Sequence, residues 1–378
     1  MSVALRPVRS AWLDLLGLAR WFQRVRAVGE RTLVVGNGAL AQKVIEEIEA
    51  RPALRSTVVG VVADGAGQGG STPKALAEAL GRAVDATRPN RIVVALDDNR
   101  GRLPVRQLIE ARTRGTLVED GVEVYERLTG KLALESVTPT SLAFSPGFRM
   151  SRLHAAVARG LGLAVSTLGL IVLAPILGLI ALLIKLDSRG PVCFVQERVG
   201  LRGRTFNLIK FRTMHPREQG TSEWEQDNCH RITRLGWWLR RYRLDELPQL
   251  VNVLRGDMDL VGPRPHPVTN LELFILTLRN LNELTGDAIP YYALRCAVRP
   301  GITGWAQVRY GYANGLEEEV EKIRYDLYYL KHMSLWLDLR ILLETAWAVL
   351  SGHRSTPARE PWGRGHPRPF EPGFRRAA

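Results

Sequence analysis

The stretch TLVVGNGALAQKVIEEIEA, residues 32–50, decides the fold of the N-terminal part of the chain. It reads as a strand, a glycine turn and a helix, because apolar residues recur at helical spacing after the turn. A second strand, STVVGVVAD, follows at residues 56–64. Later segments continue this alternation, which is typical of a parallel sheet with flanking helices. The sequence predicts an α/β fold that begins with a Rossmann-like domain over residues 31–130.

The turn after the first strand carries Gly36, Gly38 and Ala41 in the spacing G-x-G-x-x-A. In dinucleotide-binding domains, an acidic residue about 20 positions further on binds the ribose. Asp64 ends the second strand, but it lies 28 residues after Gly36. We therefore expect a degenerate Rossmann-like domain without a catalytic role, with nucleotide binding as the alternative.

The composition, with 46% hydrophobic and 24% charged residues, is that of a folded protein. A chain of 378 residues is long enough for two domains. The net charge of +14 favours an anionic partner: nucleic acid, acidic lipid or a phosphorylated substrate. Cys193, Cys229 and Cys296 lack metal-ligand spacing, which predicts free thiols in a reducing compartment. The seven histidines form no metal-like cluster in the sequence. The basic N-terminal segment, residues 1–30, lacks a secretory signal.

The 25 residues 160–184 carry no charge. About 20 apolar residues suffice to cross a bilayer as a helix, so residues 160–185 are predicted to be membrane-inserted. Pro175 lies in the middle of this segment and removes one helix hydrogen bond. Both flanks are basic, which suits a helix-break-helix hairpin that enters and leaves by the same face. A simple span is the alternative, because membrane helices tolerate proline.

The rest of the chain divides into a linker at 131–159, a mainly helical α+β domain at 186–352 and a disordered basic tail at 353–378. RITRLGWWLRRYR, residues 231–243, has a basic face and two tryptophans, which is typical of a helix in the lipid headgroup layer. A basic surface helix of a soluble domain is the alternative. A further helix at residues 334–350 is apolar enough to be core or interfacial.

The stretch RLDELPQLVNVLRGDMDLVGPRP, residues 243–265, places two adjacent carboxylates before a helix. Pro248 fits the first turn of this helix, and Gly256 fits its end. Asp245 and Glu246 then lie at the positive end of the helix, where a phosphate can also bind. A structural capping role for both residues is the alternative.

Basic residues beside glycine, proline or threonine turns accompany this pair: Lys210 and Arg212 in IKFRTM, Arg264 in VGPRP and Arg299 in RPGITGW. Phosphoryl transfer uses cations that hold oxygens, a metal ion and an oxygen nucleophile. Carboxylates of this kind form aspartyl-phosphate intermediates in known enzymes. Asp257 and Asp259 are further candidate ligands for a hard ion such as Mg²⁺, with a turn role as the alternative.

Residues 151–352 closely resemble the bacterial sugar transferases, the monotopic polyprenyl-phosphate phosphoglycosyl transferases. The resemblance lies in stretches that occur in family order: GPVCFVQERVGLRGRTFNLIKFRTM, RITRLG, LDELPQLVNVLRGDMDLVGPRP, VRPGITGWAQV and YDLYYLKHMSLWLDL. The N-terminal segment IVVALDDNRGRLPVRQLIEARTRG is similar to the soluble domain of an exopolysaccharide branch associated with exosortase systems.

The resemblance implies that a sugar-1-phosphate moves from a UDP-sugar to polyprenyl (undecaprenyl) phosphate, with release of UMP, as the initiating step of exopolysaccharide biosynthesis. It implies that Asp245 attacks the sugar-bearing phosphate to form a covalent intermediate. Glu246 assists, and both carboxylates are expected near Mg²⁺, which neutralises the diphosphate. Arg240 and Lys210 match basic positions of the family. The resemblance also implies the bacterial inner membrane, with a cytoplasmic catalytic domain and a re-entrant helix broken at Pro175.

Three departures from the family pattern concern the membrane. Gly162 stands where the family often has an acidic residue, and Ala174 stands where serine often precedes the proline. Related full-length proteins carry several transmembrane helices before the soluble domain, and the sequence shows none there. The expected partners are the UDP-sugar, polyprenyl phosphate and membrane lipid, with a homo-oligomer left open. The sugar is left open among glucose, galactose and an N-acetylated relative.

Two other functions are weighed against this one. A membrane-tethered NAD(P)-binding oxidoreductase or sensor would use residues 31–130 and would not need Asp245. A nucleic-acid-binding protein is suggested by the charge and by tryptophans interleaved with arginine. The uncharged segment argues against the latter, so no nucleic acid is expected.

Overall fold

A computed structural model describes most of the chain in two compact units, one drawn from residues 1–146 and 279–289 and the other from 147–278 and 290–378. Residues 1–28, Cys229 and the predicted tail at 353–378 lie outside the described part. The described part contains Cys193 and Cys296, and both are free thiols. The described ranges are 29–64, 73–96, 103–134, 144–145, 147–215, 231–268, 291–310 and 316–351.

The N-terminal unit alternates strands and helices. Its elements are β1 Glu30–Val35, α1 Ala39–Glu49, β2 Ser56–Val62, α2 Pro73–Thr87, β3 Arg91–Val94, α3 Val105–Thr113, β4 Leu117–Asp120 and α4 Gly121–Thr129. The strands form one parallel sheet in the order β2-β1-β3-β4. The predicted parallel sheet with flanking helices is confirmed.

The sheet buries both faces, because successive residues of a strand point to opposite sides. Leu33 and Ile92 pack into one apolar cluster, and Val34 and Val93 pack into another on the opposite face. At the end of β1, Gly36 has φ +121°, and a Cβ there would lie 2.2 Å from the carbonyl oxygen of Ala95. Glycine at this turn is therefore required by backbone packing. That this unit is degenerate and has no catalytic role stays a prediction, with nucleotide binding as its alternative.

The second unit is mainly helical. Its helices are α5 Arg152–Asp187, α6 Arg234–Arg241, α7 Gln249–Arg255, α8 Tyr291–Arg295, α9 Trp305–Arg309, α10 Leu316–Lys331 and α11 Leu335–Ser351. Strands β5 Cys193–Val199 and β6 Thr205–Phe211 form an antiparallel hairpin, and β7 Asp259–Val261 pairs in parallel with β8 Gly301–Thr303. The predicted fold class is confirmed.

Helix α5 is long and apolar enough to cross a membrane, by length and composition. Ser151 begins it, because its side chain accepts a hydrogen bond from the His154 amide at 3.1 Å. Only 11% of its most apolar stretch is buried. A largely exposed apolar helix of 36 residues supports association of the chain with a membrane.

The helix continues through Pro175, so the predicted division into two helices at this residue is wrong. Proline removes one N–H group, and the remaining hydrogen bonds of a long apolar helix hold its conformation. The re-entrant path through a bilayer stays a prediction.

Helices α6 and α11 confirm the two helices predicted near residues 231–243 and 334–350. Thr233 begins α6 by accepting a hydrogen bond from the Gly236 amide at 2.9 Å. The α6 residues Trp237 and Trp238 are exposed. Helix α11 buries one side and exposes another, so it has both a core face and an apolar surface face.

Candidate active site

The adjacent carboxylates lie in a tight turn that leads into α7. Arg243 has left-handed backbone geometry, with φ 52°, and a 3-10 helix then spans Leu244–Glu246. Helix α7 follows and ends at Gly256, where φ is +89°. Asp245 and Glu246 are only 7% and 6% exposed. The predicted helix is present but has only seven residues, so nearby cations contribute more to the electrostatics of the site than a helix dipole.

Glu246 is held by two arginines. Its Oε1 accepts a hydrogen bond from Arg264 Nη2 at 3.0 Å, and Arg243 Nη1 lies 3.7 Å from Oε2. Burial alone would raise the pKa of Glu246, but Arg264 and Arg243 outweigh it and lower the pKa. Glu246 is therefore an anion at neutral pH.

Asp245 has a different environment from its neighbour. Burial, followed by repulsion from Glu246, raises the pKa of Asp245 to about 6, while Lys210, Arg240 and Arg264 oppose the increase. At neutral pH the side chain is ionised but poorly solvated. A desolvated carboxylate among cations is suited to attack an electrophilic phosphorus.

Lys210 reaches this region from β6. Its Nζ lies 5.1 Å from the ring centroid of Phe194, the residue paired with it across the hairpin. Burial, followed by repulsion from Arg198, lowers the pKa of Lys210 to about 8, and Asp245 counteracts the decrease. The structure therefore brings together five of the predicted site residues: Asp245, Glu246, Lys210, Arg240 and Arg264.

The hydrogen bonds of Arg212 connect it to another part of the unit, not to this group. Its Nη2 donates to the carbonyl oxygen of Ser188 at 2.7 Å and to the Ser188 hydroxyl at 2.9 Å. Gly190 lies against the same guanidinium, and a Cβ there would be 2.1 Å from Nη1. Strand β6 ends one residue earlier, so Arg212 no longer follows the alternation that directs Lys210. In the structure Arg212 holds the turn after α5, and its contact with a substrate phosphate stays a prediction.

Arg299 lies at the opposite end of α7 from the dyad. Its Nε donates to the carbonyl oxygen of Gly256 at 3.0 Å, and its Nη1 is 3.9 Å from Asp259 Oδ2. A seven-residue helix is about 10 Å long. Arg299 therefore lies apart from the dyad in the structure, and its role in binding a substrate phosphate stays a prediction.

Asp257 also lies at the C-terminal end of α7, where its Oδ2 accepts a hydrogen bond from Asn252 Nδ2 at 3.1 Å. Within the described ranges, no group of three or more Cys, His, Asp and Glu side chains is arranged to hold a metal ion. The expected set of Asp245, Glu246 and Asp257 is therefore not assembled, and the turn role of Asp257 is the one observed.

Arg159, one of the basic residues that flank the uncharged segment, joins α5 to α7. Its Nη1 donates to the carbonyl oxygen of Val253 at 2.7 Å, and its Nη2 donates to that of Leu254 at 3.2 Å. Both carbonyls lie in the last turn of α7, where a cation is favourable. Close packing accompanies this cap, because a Cβ on Gly162 would lie 3.4 Å from Val253. Gly162 therefore lies at the contact between α5 and α7, where a Cβ would make an ordinary van der Waals contact.

Asn252 was also missed. Its Oδ1 accepts a hydrogen bond from the Ile209 amide at 3.1 Å, and its Nδ2 donates to the carbonyl oxygen of Asn207 at 2.8 Å. The fully buried side chain ties α7 to β6, which carries Lys210. A polar residue within the apolar run LVNVL was the available signal.

A second group of buried ionisable side chains contacts the segment that carries Arg264. Arg295 Nε is 2.8 Å from Asp326 Oδ2, and His266 Nε2 is 3.4 Å from Glu319 Oε2. Burial, followed by repulsion from Arg295, lowers the pKa of His266 to about 4 despite its contact with Glu319. Neutral His266 and the Arg295–Asp326 pair were not predicted, because their partners are distant in sequence.

Residues 153–352 match the family model described as bacterial sugar transferase, which is more than half of the chain. The chain therefore belongs to the bacterial sugar transferase family. The predicted membership of residues 151–352 in this family is confirmed, while the exosortase association stays a prediction.

Curated relatives agree with this family. The chain is 39% identical over 231 residues to a UDP-N-acetylgalactosamine-undecaprenyl-phosphate N-acetylgalactosaminephosphotransferase of Aeromonas hydrophila, covering 61% of this chain and 51% of the relative. It is 35% identical over 334 residues to an undecaprenyl-phosphate glucose phosphotransferase of Komagataeibacter xylinus, covering 85% and 59%. It is 34% identical over 320 residues to a UDP-glucose:undecaprenyl-phosphate glucose-1-phosphate transferase of Escherichia coli K12, covering 82% and 66%. The chain spans about half to two thirds of these relatives.

Proposed function

We propose that the chain transfers a sugar-1-phosphate from a UDP-sugar to undecaprenyl phosphate and releases UMP, initiating exopolysaccharide synthesis. The observation that carries this proposal is the buried pair Asp245 and Glu246 with Lys210, Arg240 and Arg264 acting on it. Buried carboxylates among cations fit phosphoryl transfer, which depends on charge stabilisation and positioning. The names of the relatives in three bacteria support the same reaction class.

In the first step, an oxygen of Asp245 forms a bond to the phosphorus that carries the sugar. The bond from that phosphorus to the bridging oxygen breaks, and UMP leaves with the oxygen and its electron pair. In the second step, a phosphate oxygen of undecaprenyl phosphate attacks the same phosphorus and regenerates the Asp245 carboxylate. Lys210, Arg240 and Arg264 are the side chains available to hold phosphate oxygens during both steps.

The two carboxylates fit Mg²⁺, because this ion is commonly bound by one or two carboxylates together with substrate phosphates. Asp245 and Glu246 would hold it, and bound Mg²⁺ would neutralise negative charge on the diphosphate. Arg264 already fixes Glu246 by a hydrogen bond, so this carboxylate is oriented before any substrate arrives.

We further propose that the catalytic unit works at the cytoplasmic face of the inner membrane. The exposed apolar surface of α5 supports membrane attachment. Helix α6 carries both Arg240, which acts on the dyad, and the exposed Trp237 and Trp238. Tryptophan favours the bilayer interface, so the same helix would place a site cation near the phosphate of a membrane-embedded acceptor.

The test uses purified chain in lipid nanodiscs with undecaprenyl phosphate, Mg²⁺ and radiolabelled UDP-glucose, UDP-galactose and their N-acetylated relatives. The wild type is expected to form a radiolabelled lipid from at least one donor and to release UMP. Asp245→Asn is expected to abolish transfer while remaining in the membrane fraction. Equal turnover by wild type and Asp245→Asn would refute the proposed role of this residue.

A further inference from the structure

The segment 263–266, which carries Arg264, is held by its backbone carbonyls. Pro263 and Pro265 have no backbone N–H groups to donate. The backbone hydrogen bonds of these two residues can therefore form only through their carbonyl oxygens, which need donors from other segments. All four carbonyl oxygens accept a hydrogen bond from another part of the unit. The donors are the Gly301 amide for Pro263 at 3.0 Å, Arg295 Nη2 for Arg264, Arg198 Nη1 for Pro265 at 3.0 Å and the Val199 amide for His266 at 3.0 Å.

Arg295 is the donor to Arg264 itself, and it is charge-paired. Its Nε donates to Asp326 Oδ2 at 2.8 Å while its Nη2 donates to the Arg264 carbonyl. Arg295 and Asp326 are only 4% and 3% exposed. Because a buried guanidinium without an anion is costly, Asp326 is what allows Arg295 to occupy this position.

One continuous path of contacts leads from this pair to the dyad. Asp326 fixes the Arg295 fork, Arg295 fixes the backbone of Arg264, and the Arg264 side chain holds Glu246 at 3.0 Å. A fork with two fixed donors defines the position of the acceptor more narrowly than a single contact does.

We infer that Arg295, charge-paired with Asp326, is a positioning residue that fixes Arg264 and through it Glu246 for phosphosugar transfer. This inference rests on the proposed function. The competing explanation is that the pair only joins α8 to α10, in which case its loss would reduce stability without acting through Arg264.

A double-mutant cycle separates these explanations, because it measures whether two residues act through one another. The four proteins are the wild type, Asp326→Asn, Arg264→Ala and the double variant, assayed in nanodiscs for kcat and for KM of the UDP-sugar. Asp326→Asn is expected to lower kcat about tenfold, the size of a lost charged hydrogen bond, with a smaller change in KM. In the Arg264→Ala background, Asp326→Asn is expected to lower kcat less than twofold.

Glu344→Gln is the matched control. It breaks another ion pair of the same unit, in which Arg309 Nη2 lies 2.9 Å from Glu344 Oε1, without contacting residues 263–266. Its kcat is expected to stay within twofold of the wild type. If Asp326→Asn fails to fold, Arg295→Lys replaces it, because lysine keeps the charge but loses the fork, and the same pattern is expected.

The outcomes distinguish failure of this inference from failure of the proposed function. If the wild type transfers no phosphosugar, the proposed function fails. If the wild type is active and Asp245→Asn is inactive, the proposed function holds. The double-mutant cycle then tests the positioning role of Arg295. An equal fold-loss of kcat from Asp326→Asn with and without Arg264 would overturn it, as would an unchanged kcat.

Discussion

The sheet of the N-terminal unit and the dyad region of the second unit are stabilised in opposite ways. Strands β1 and β3 bury apolar side chains such as Val34 and Ile92 on both faces. Around the dyad, charged side chains are buried as well, and Glu246 and Arg295 each pair with a side chain of opposite sign. Burying charge is costly, so a region that does so is under a constraint other than stability. The contrast supports the proposal that the second region carries the chemistry.

The largest expected effect is on kcat, when a cation is removed from the charged region around the dyad. Arg264→Ala removes the hydrogen-bonded cation of Glu246 and leaves the longer contact to Arg243, so we expect kcat to fall by about two orders of magnitude or more. Arg299→Ala is the matched control, because Arg299 has nearly the same exposure, 37% against 38%, but lies at the other end of α7. Steady-state transfer kinetics measure both variants. A loss in Arg299→Ala as large as that in Arg264→Ala would contradict the assignment of the site.

A smaller effect concerns pH. The pKa of His266 falls to about 4 in the folded chain, below its ordinary value of 6.5. The unfolded chain therefore binds the proton first, and stability is lost as the pH falls from 6.5 towards 4. At pH 5 this loss is about 2 kcal/mol. We expect His266→Gln to lose less stability than the wild type between pH 7 and pH 5, measured by denaturant unfolding. Equal losses in both proteins would show that His266 is not the titrating group.

The smallest expected effect concerns the apolar sheet. Ile92→Val removes one methylene from a fully buried position, so we expect the N-terminal unit to lose about 1 kcal/mol of stability. Ile109→Val, at a residue 58% exposed, is the matched control and should change little. Denaturant unfolding monitors both variants. Transfer kinetics should be unchanged, and a fall in kcat with Ile92→Val would show that the sheet contributes directly to the chemistry.

Sequence reasoning succeeded where the signal is local. The strand-and-helix alternation of the N-terminal unit and the end of α7 at Gly256 depend on residues a few positions apart. The same reasoning placed Asp245 and Glu246 at one turn with Lys210, Arg240 and Arg264, although the approach of these cations was only inferred from their motifs and from the family.

Sequence reasoning could not predict which partner, distant in sequence, a side chain contacts in the fold. Arg212 binds the turn at Ser188, Arg299 binds the end of α7, and Asp257 binds Asn252. All three stand in motifs that resemble phosphate or metal sites, and spacing alone does not show which backbone carbonyl or amide they meet. Arg159 was missed for the same reason.

The most direct measurement is intact-protein and peptide mass spectrometry of the chain incubated with its UDP-sugar donor and Mg²⁺ but without undecaprenyl phosphate. The two-step scheme predicts a phosphosugar adduct on the peptide that contains Asp245, its disappearance when the acceptor is added, and its absence from Asp245→Asn. A wild-type chain that transfers sugar phosphate at full rate but never carries this adduct would contradict the covalent mechanism.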